Sequence, residues 1–359
     1  MAESAPIIVV DALGGDHAPR AIVEGTCQAA KMFGIECELV GPPGLLQPMI
    51  ERYAKGGPEP RIVPAADGLP MDVSPREGIR DHPNCSLLVA ARRARDIEGH
   101  SAMVTAGPTG AVVLACSKTF ERIPGIRRTA LAAVIPTARR RGERDDPFSL
   151  ILDVGATVRV DAEDLVGFAV MGAAYSAMVS KSPAPRLGVL SNGTEPNKGP
   201  PEVVEALKRL RGMEGIELVG NIEAQQIPRG EADVIVCDGF SGNITLKMLE
   251  GIQETVLELG RYAQRSRLTW RIGLWLLRSG LSRLRQVTDW RQYGGAPILG
   301  HDRLCIKAHG RSGPRAIRNA IRVADMCTRD RLCETIAARS QQTLDLIPSA
   351  PTDSVEDGH

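Results

Sequence analysis

Aromatic side chains are scarce in this 359-residue chain: Phe, Tyr and Trp make up 3% of it, although hydrophobic residues as a whole reach 43%. A core with so few rings has to be filled by Ala, Val, Leu and Ile, which suits parallel sheets flanked by helices better than a β-sandwich. Net charge is lacking too. The balance of Lys and Arg against Asp and Glu is +1, which gives no global pull toward nucleic acid, and no basic run interleaved with aromatics supplies a local one. None of the eight cysteines forms a C-x-x-C pair or stands at metal-ligand spacing from histidine. They read as reduced, mostly buried thiols, and no metal site is expected. The opening MAESAP has no basic stretch followed by an apolar one, so a cytoplasmic location is expected. Three nucleotide and hydrolase fingerprints are also missing. There is no G-x-G-x-x-G with an acidic residue about 20 positions on, no G-x-x-x-x-G-K-[ST] and no G-x-S-x-G elbow.

What is present is alternation. Apolar runs at Ile7–Val10, Cys37–Val40, Arg61–Pro64, Ala102–Thr105, Leu131–Ile135, Leu150–Val154, Leu187–Leu190, Glu217–Val219 and Val234–Cys237 read as strands. Helical patterns fall at 19–33, 43–55, 84–98, 109–120, 163–180, 200–211 and 242–262. The order predicts right-handed βαβ units around a mainly parallel sheet, an α/β fold. Residues 1–346 are expected to form one large domain, and the polar 347–359 a disordered tail.

Several strands end in glycine-rich punctuation: DALGGDHAP after the first, AGPTGA after Thr105, DVGAT after Leu152, SNGTEPNKGPP after Leu190 and DGFSGN after Cys237. Ligands of open α/β sheets bind beyond the carboxyl ends of the strands, where loops enter helix N-termini. The five loops are expected to converge on one cleft. Its candidate phosphate- or substrate-binding residues are Asp11, Gly14, Gly15, Asp16, His17, Thr105, Gly107, Thr109, Gly110, Asp153, Gly155, Asn192, Asp238, Gly239 and Gly242. Lys198 and Asn243 also lie in these loops. Backbone N–H groups, one lysine and one asparagine suit a small oxyanion such as inorganic phosphate. Each feature has a plainer reading. Lys198 fits a solvated lysine at a helix start, Asn243 an N-cap, and the three strand-end aspartates fit anchors for loop N–H groups. Paired carboxylates are also compatible with Mg²⁺, which nothing in the sequence specifically indicates.

The segments VDALGGDHAP, TAGPTGA, LDVGA, GEADVIVCDGFSGNITLKMLEG and YGGAPILG followed by IKAHG together resemble the PlsX family of bacterial phosphate acyltransferases, from about Ile7 to about Leu344. The resemblance implies a three-layer α/β/α homodimer similar to phosphotransacetylases and isopropylmalate dehydrogenases. It implies transfer of a fatty acyl group from acyl carrier protein to inorganic phosphate, giving an acyl phosphate for glycerol-3-phosphate acyltransferase downstream in phospholipid synthesis, with no required cofactor. In that reading Lys198 matches the family's lysine and holds phosphate, and Asn243 matches its asparagine and donates to the carbonyl oxygen or phosphate. Two other classes remain compatible with the residues: an inactive carrier-binding scaffold at a membrane surface, and an NAD-dependent β-decarboxylating dehydrogenase, against which the missing fingerprint counts.

From Leu259 to Thr288 there is no acidic residue, while seven arginines occur, with Trp270 and Trp275 among them. Drawn as a helix, the segment puts Arg267, Arg271 and Arg278 on one stripe and Trp270, Leu274 and Leu277 on the adjacent face. It is too short and charged to span a bilayer. A protruding amphipathic segment at about 262–288 is therefore expected to contact an anionic membrane surface or the acidic carrier. Burial in a dimer interface is the competing reading.

Overall fold

Each βαβ unit is set by short apolar runs that glycine and proline interrupt. In the computed structural model, which describes residues 5–139, 147–266, 268–280 and 294–346, β1 (Ile7–Asp11) leads through the glycine loop into α1 (Arg20–Phe33). There follow β2 (Glu36–Gly41), α2 (Pro43–Tyr53), β3 (Arg61–Pro64), α3 (Pro75–Asp81), α4 (Ser86–Asp96), β4 (Ser101–Thr105) and α5 (Thr109–Thr119). The second run comprises β5 (Ala130–Pro136), β6 (Phe148–Leu152), α6 (Ala162–Val179), β7 (Arg186–Leu190), α7 (Pro201–Leu210), β8 (Glu217–Ile222), β9 (Val234–Val236) and α8 (Gly239–Ser266). After α9 (Leu268–Leu276) the chain returns through β10 (Ala296–Leu299), β11 (Leu304–Lys307), α10 (Pro314–Arg329) and α11 (Leu332–Leu346).

All eleven strands among the described residues join one sheet in the order β3-β2-β1-β4-β11-β10-β5-β6-β9-β7-β8. Its faces are covered by two aliphatic cores, one containing Ile8, Val10, Val104 and Ile306, the other Val9, Met103, Cys305 and Ile235. Side chains alternate between faces along a strand, so each strand feeds both layers. The three-layer α/β/α arrangement follows directly. Helix α6 is almost wholly apolar after its first turn because it is buried in this core. A reciprocal cap starts it: the Asp164 amide donates to Asp161 and the Asp161 amide to Asp164, satisfying two otherwise free N–H groups.

The nine strands and seven helices read from the sequence are all present. Elements α3, β10, β11, α10 and α11 were not anticipated. The missed pair β10–β11 decides the topology. Strand β11 runs parallel to β4, β10 is antiparallel to both β11 and β5, and β5 is antiparallel to β6. The parallel groups β1/β4/β11 and β6/β9/β7 therefore run in opposite senses. The expected 347–359 tail lies outside the described residues.

Candidate active site at the carboxyl ends of two parallel strand groups

The five glycine-rich loops fall into two groups on oppositely directed strands, those after β1 and β4 and those after β6, β7 and β9. Helix α8 links them: its Asn243 meets Gly155 of the second group, and Lys247, one turn on, acts electrostatically on Lys307 of the first.

The first cluster is built on Asp11, 1% exposed at the end of β1. Its carboxylate accepts from Ser86 Oγ at 2.6 Å, Thr105 Oγ1 at 2.7 Å and the Leu13 amide at 3.2 Å. Burial pushes this carboxyl above its ordinary value, against those donors. The Gly107 amide donates to Thr105 Oγ1. A Cβ on Gly14 would stand 2.5 Å from the Asp11 carboxylate and 2.8 Å from the Gly107 nitrogen, so the two loops interlock only through glycine. Gly15 has φ +100°, a conformation that favours glycine, and the Asp16 amide donates to the Gly310 carbonyl beyond β11 at 2.8 Å. Asp16, His17, Thr109 and Gly110 lie exposed around this mouth.

The second cluster is built on Asp153, which is fully buried. One carboxylate oxygen accepts from the amides of Leu131, Gly155 and Ala156, the other from Ala156 and Thr157. With both oxygens occupied by backbone, Asp153 stands as the anchor of its loop. Asp238 caps α8, accepting from the Phe240 and Ser241 amides at 3.0 and 2.8 Å. A Cβ on Gly242 would fall 1.8 Å from the Asp153 carbonyl oxygen, and one on Gly239 2.6 Å from the Thr157 carbonyl oxygen. Both glycines let the first turn of α8 lie against the Asp153 loop. That seating carries Asn243 over Gly155, where its amide nitrogen is 3.0 Å from the position of a Cβ.

Lys198 is exposed in the loop after β7. Its stem covers Gly193, and Asn221 of β8 holds the loop by donating to the carbonyls of Glu195 at 2.6 Å and Lys198 at 3.3 Å. Asn192 is exposed in the same loop. Beside this cluster an open groove of about 580 Å³ is walled by Val158, Val160, Phe240, Arg159 and Glu202. It offers apolar and charged surface side by side.

Helix α8 joins the clusters. Asn243, Lys247, Glu250 and Glu254 repeat at intervals that share one helix face. Along it, Lys247 acts electrostatically on Lys307, Glu250 on His309, and Glu254 approaches Arg311 at 4.0 Å. Sequence reasoning passed over Ser86, Asn221 and Lys307 as individual residues. The signal for Lys307 is a lysine closing the buried strand LCIK; Ser86 and Asn221 have none short of the tertiary structure.

In the basic segment, Trp270, Arg271, Leu277 and Arg278 are exposed and Leu274 is half-buried. The Arg278 guanidinium lies over the Trp275 ring, 5.0 Å from its centre. Arg267 and residues 281–288 lie outside the described residues.

A family model described as fatty acid synthesis protein matches residues 7–335. A protein of Trichodesmium erythraeum named phosphate acyltransferase is 37% identical over 332 residues, 92% of this chain and 96% of that protein. One of the same name from Nitratidesulfovibrio vulgaris is 35% identical over 341 residues, 94% and 96% of the two chains. Among solved structures, a phosphotransacetylase from Streptococcus pyogenes superimposes with a TM-score of 0.58 at 15% identity, covering 95% of this chain and 94% of the other. The EutD phosphotransacetylase from Staphylococcus aureus gives 0.56 at 12%, covering 90% and 94%. At such identities these two share the fold.

Proposed function

The chain belongs to the fatty acid synthesis protein family, the PlsX family, and from that membership we propose that it is a phosphate acyltransferase. It moves a long-chain fatty acyl group from acyl carrier protein to inorganic phosphate. A phosphate oxygen attacks the thioester carbonyl carbon, the C–S bond breaks, and the proton of hydrogen phosphate passes to the departing thiolate. The products are an acyl phosphate, the substrate of glycerol-3-phosphate acyltransferase in phospholipid synthesis, and free carrier thiol.

A thioester is already electrophilic and its thiolate leaves readily, so the protein's task is to hold phosphate near the carbon and to stabilise the oxyanion. The observation that carries this reading is the glycine-dependent seating of Asn243 over Gly155. It fixes an amide donor at a carboxyl-end loop, where a carbonyl oxygen would accumulate charge. Lys198 supplies an exposed cation for phosphate, and the groove beside Phe240 offers apolar wall to the chain or to the carrier's arm.

Two partner surfaces belong to the same proposal. Phe240, Ile244, Met248 and Ile252 are between 52% and 62% exposed and repeat every fourth residue along α8; this ridge suits a second copy of the chain in a homodimer. The exposed tryptophans and arginines of 270–278 suit an anionic membrane surface or the acidic carrier, making the enzyme cytoplasmic and peripherally membrane-associated. The reaction as written takes no cofactor.

The test follows free carrier thiol released from palmitoyl-acyl carrier protein with and without phosphate, with acyl phosphate trapped by hydroxylamine. Release that depends on phosphate is expected, with a fall of about 10²–10³ in Lys198→Ala or Asn243→Ala, the range for loss of one oxyanion donor. Carrier binding without release by the wild type would refute the acyltransferase reading and support a scaffold.

A further inference from the structure

Lys307 is the last residue of β11 and only 8% exposed. Its register partner on β4 is Thr105, and Thr105 bonds Asp11 at the end of β1. Partners in register on parallel strands point to the same face. The carboxyl ends of three neighbouring strands thus present a row of acid, hydroxyl and amine on the face that α8 covers. The Lys307 ammonium donates to the carbonyl of its neighbour Ala308, and among the described residues no carboxylate lies within 4.0 Å of it. Burial is the first cause of a pKa lowered to about 8; Lys247 acts in the same direction, while Cys305, Asp16 and Asp11 partly oppose them.

A buried cation with one neutral acceptor and no counter-ion is costly to keep. A structural lysine would be paired or would extend to water. Lys307 does neither, and it lies among Gly-rich loops that bring the backbone close: the Asp16 amide is tied to Gly310, and Gly15 packs against Ala106 and Gly310. Two further cationic or basic groups lie nearby: Lys247, paired with Glu250 at 2.8 Å, acts electrostatically on Lys307, and His309 accepts from the Arg311 amide. Asp11 is already engaged by three donors, which leaves its charge largely answered locally.

We propose that Lys307 is a phosphate-binding residue: the missing counter-ion is the phosphate acceptor, held between the Gly14–His17 loop, the 307–311 loop and the Lys247 turn of α8. The assignment rests on the acyltransferase reading. It adds a buried anchor for phosphate from the other strand group, reached along α8, where Asn243 and Lys247 stand one turn apart on the same face.

The experiment measures inorganic phosphate binding to the full-length protein by titration calorimetry for wild type, Lys307→Met, Lys307→Arg and Lys198→Ala, together with melting temperatures with and without phosphate. Methionine has similar length and no charge. Phosphate affinity in Lys307→Met should fall about tenfold to a hundredfold, the range for a hydrogen bond to a charged group. Its melting temperature without phosphate should equal or exceed that of wild type, because a buried unpaired charge has gone, and phosphate should no longer raise it. Arginine should retain part of the affinity, and the KM for phosphate should rise more than kcat falls in both variants. Unchanged phosphate affinity in Lys307→Met overturns the assignment. So does a Lys307→Met protein that melts early or fails to fold while Lys307→Arg is stable and binds phosphate like wild type, because the lysine is then structural. Wild type that binds no phosphate removes the acyltransferase reading itself, and this assignment with it.

Discussion

Replacing Asp153 with asparagine separates an anchor from a ligand-binding group. In the wild type, four backbone amides, those of Leu131, Gly155, Ala156 and Thr157, point at the two carboxylate oxygens at 2.6–3.0 Å. Asparagine keeps one acceptor oxygen. If that oxygen faces Leu131, Gly155 and Ala156, the new NH₂ group confronts the Thr157 amide, and the shortest of the bonds becomes a donor–donor clash. The loss of that charge-assisted bond costs about 1.5–3 kcal/mol, and weakening of the other three adds a similar amount. Burial, which pushes the Asp153 carboxyl above its ordinary value, offsets part of the loss because the anion itself is expensive to bury. A net destabilisation of about 3 kcal/mol follows. Urea denaturation at neutral pH measures it, and hydrogen exchange at the amides of 155–157 locates it. Activity should fall as well, because Gly155 supports Asn243. A variant within about 0.5 kcal/mol of wild type that has nonetheless lost activity would refute the reasoning. The carboxylate would then act on substrate, and the loop would be held by something else.

Two other predictions concern packing and pH. Gly242→Ala puts a methyl group 1.8 Å from the Asp153 carbonyl oxygen and 2.8 Å from the Cys237 sulfur. The first turn of α8 must move, at a cost of about 3 kcal/mol or more, and activity should drop further than the folded fraction; a variant with wild-type melting and turnover would show that the seat is not tight. His301 is 2% exposed against Thr129 and Phe120, and burial lowers its pKa to about 4 from 6.5. Between pH 6.5 and 4 the unfolded chain binds a proton there that the folded chain refuses. Stability from this group is therefore complete above pH 6.5 and declines as pH falls through that window, by up to about 3 kcal/mol. Denaturation midpoints of wild type and His301→Gln across pH 4–7 check it, and parallel curves would show that His301 does not carry the dependence.

The strands that read correctly from sequence are those whose apolar runs end in glycine-rich loops, because burial on both faces and a turn both leave local marks. Strands β10 and β11 are four residues each, and no helix separates them, so the strand–helix alternation that marks the other strands had little to register. The helices α10 and α11 that follow were missed with them. Asp11, Asp153 and Asp238 were legible as strand-end carboxylates, but not what each would meet: hydroxyls for the first, backbone amides for the second, the start of a helix for the third.

Local chemistry therefore determined a good deal by itself. Scarce aromatics and alternating apolar runs specify a layered α/β core, and the glycine loops mark the functional ends of the strands. The family-specific motifs carry the assignment of Lys198 and Asn243. Only the tertiary structure decided where those ends lie relative to one another. The reversal at β10 and β5 is a matter of long-range pairing, whose hydrogen bonds leave no periodic trace in the residues that make them. It puts the five loops on two oppositely directed strand groups linked by α8, and leaves Lys307 buried with no carboxylate within 4.0 Å among the described residues.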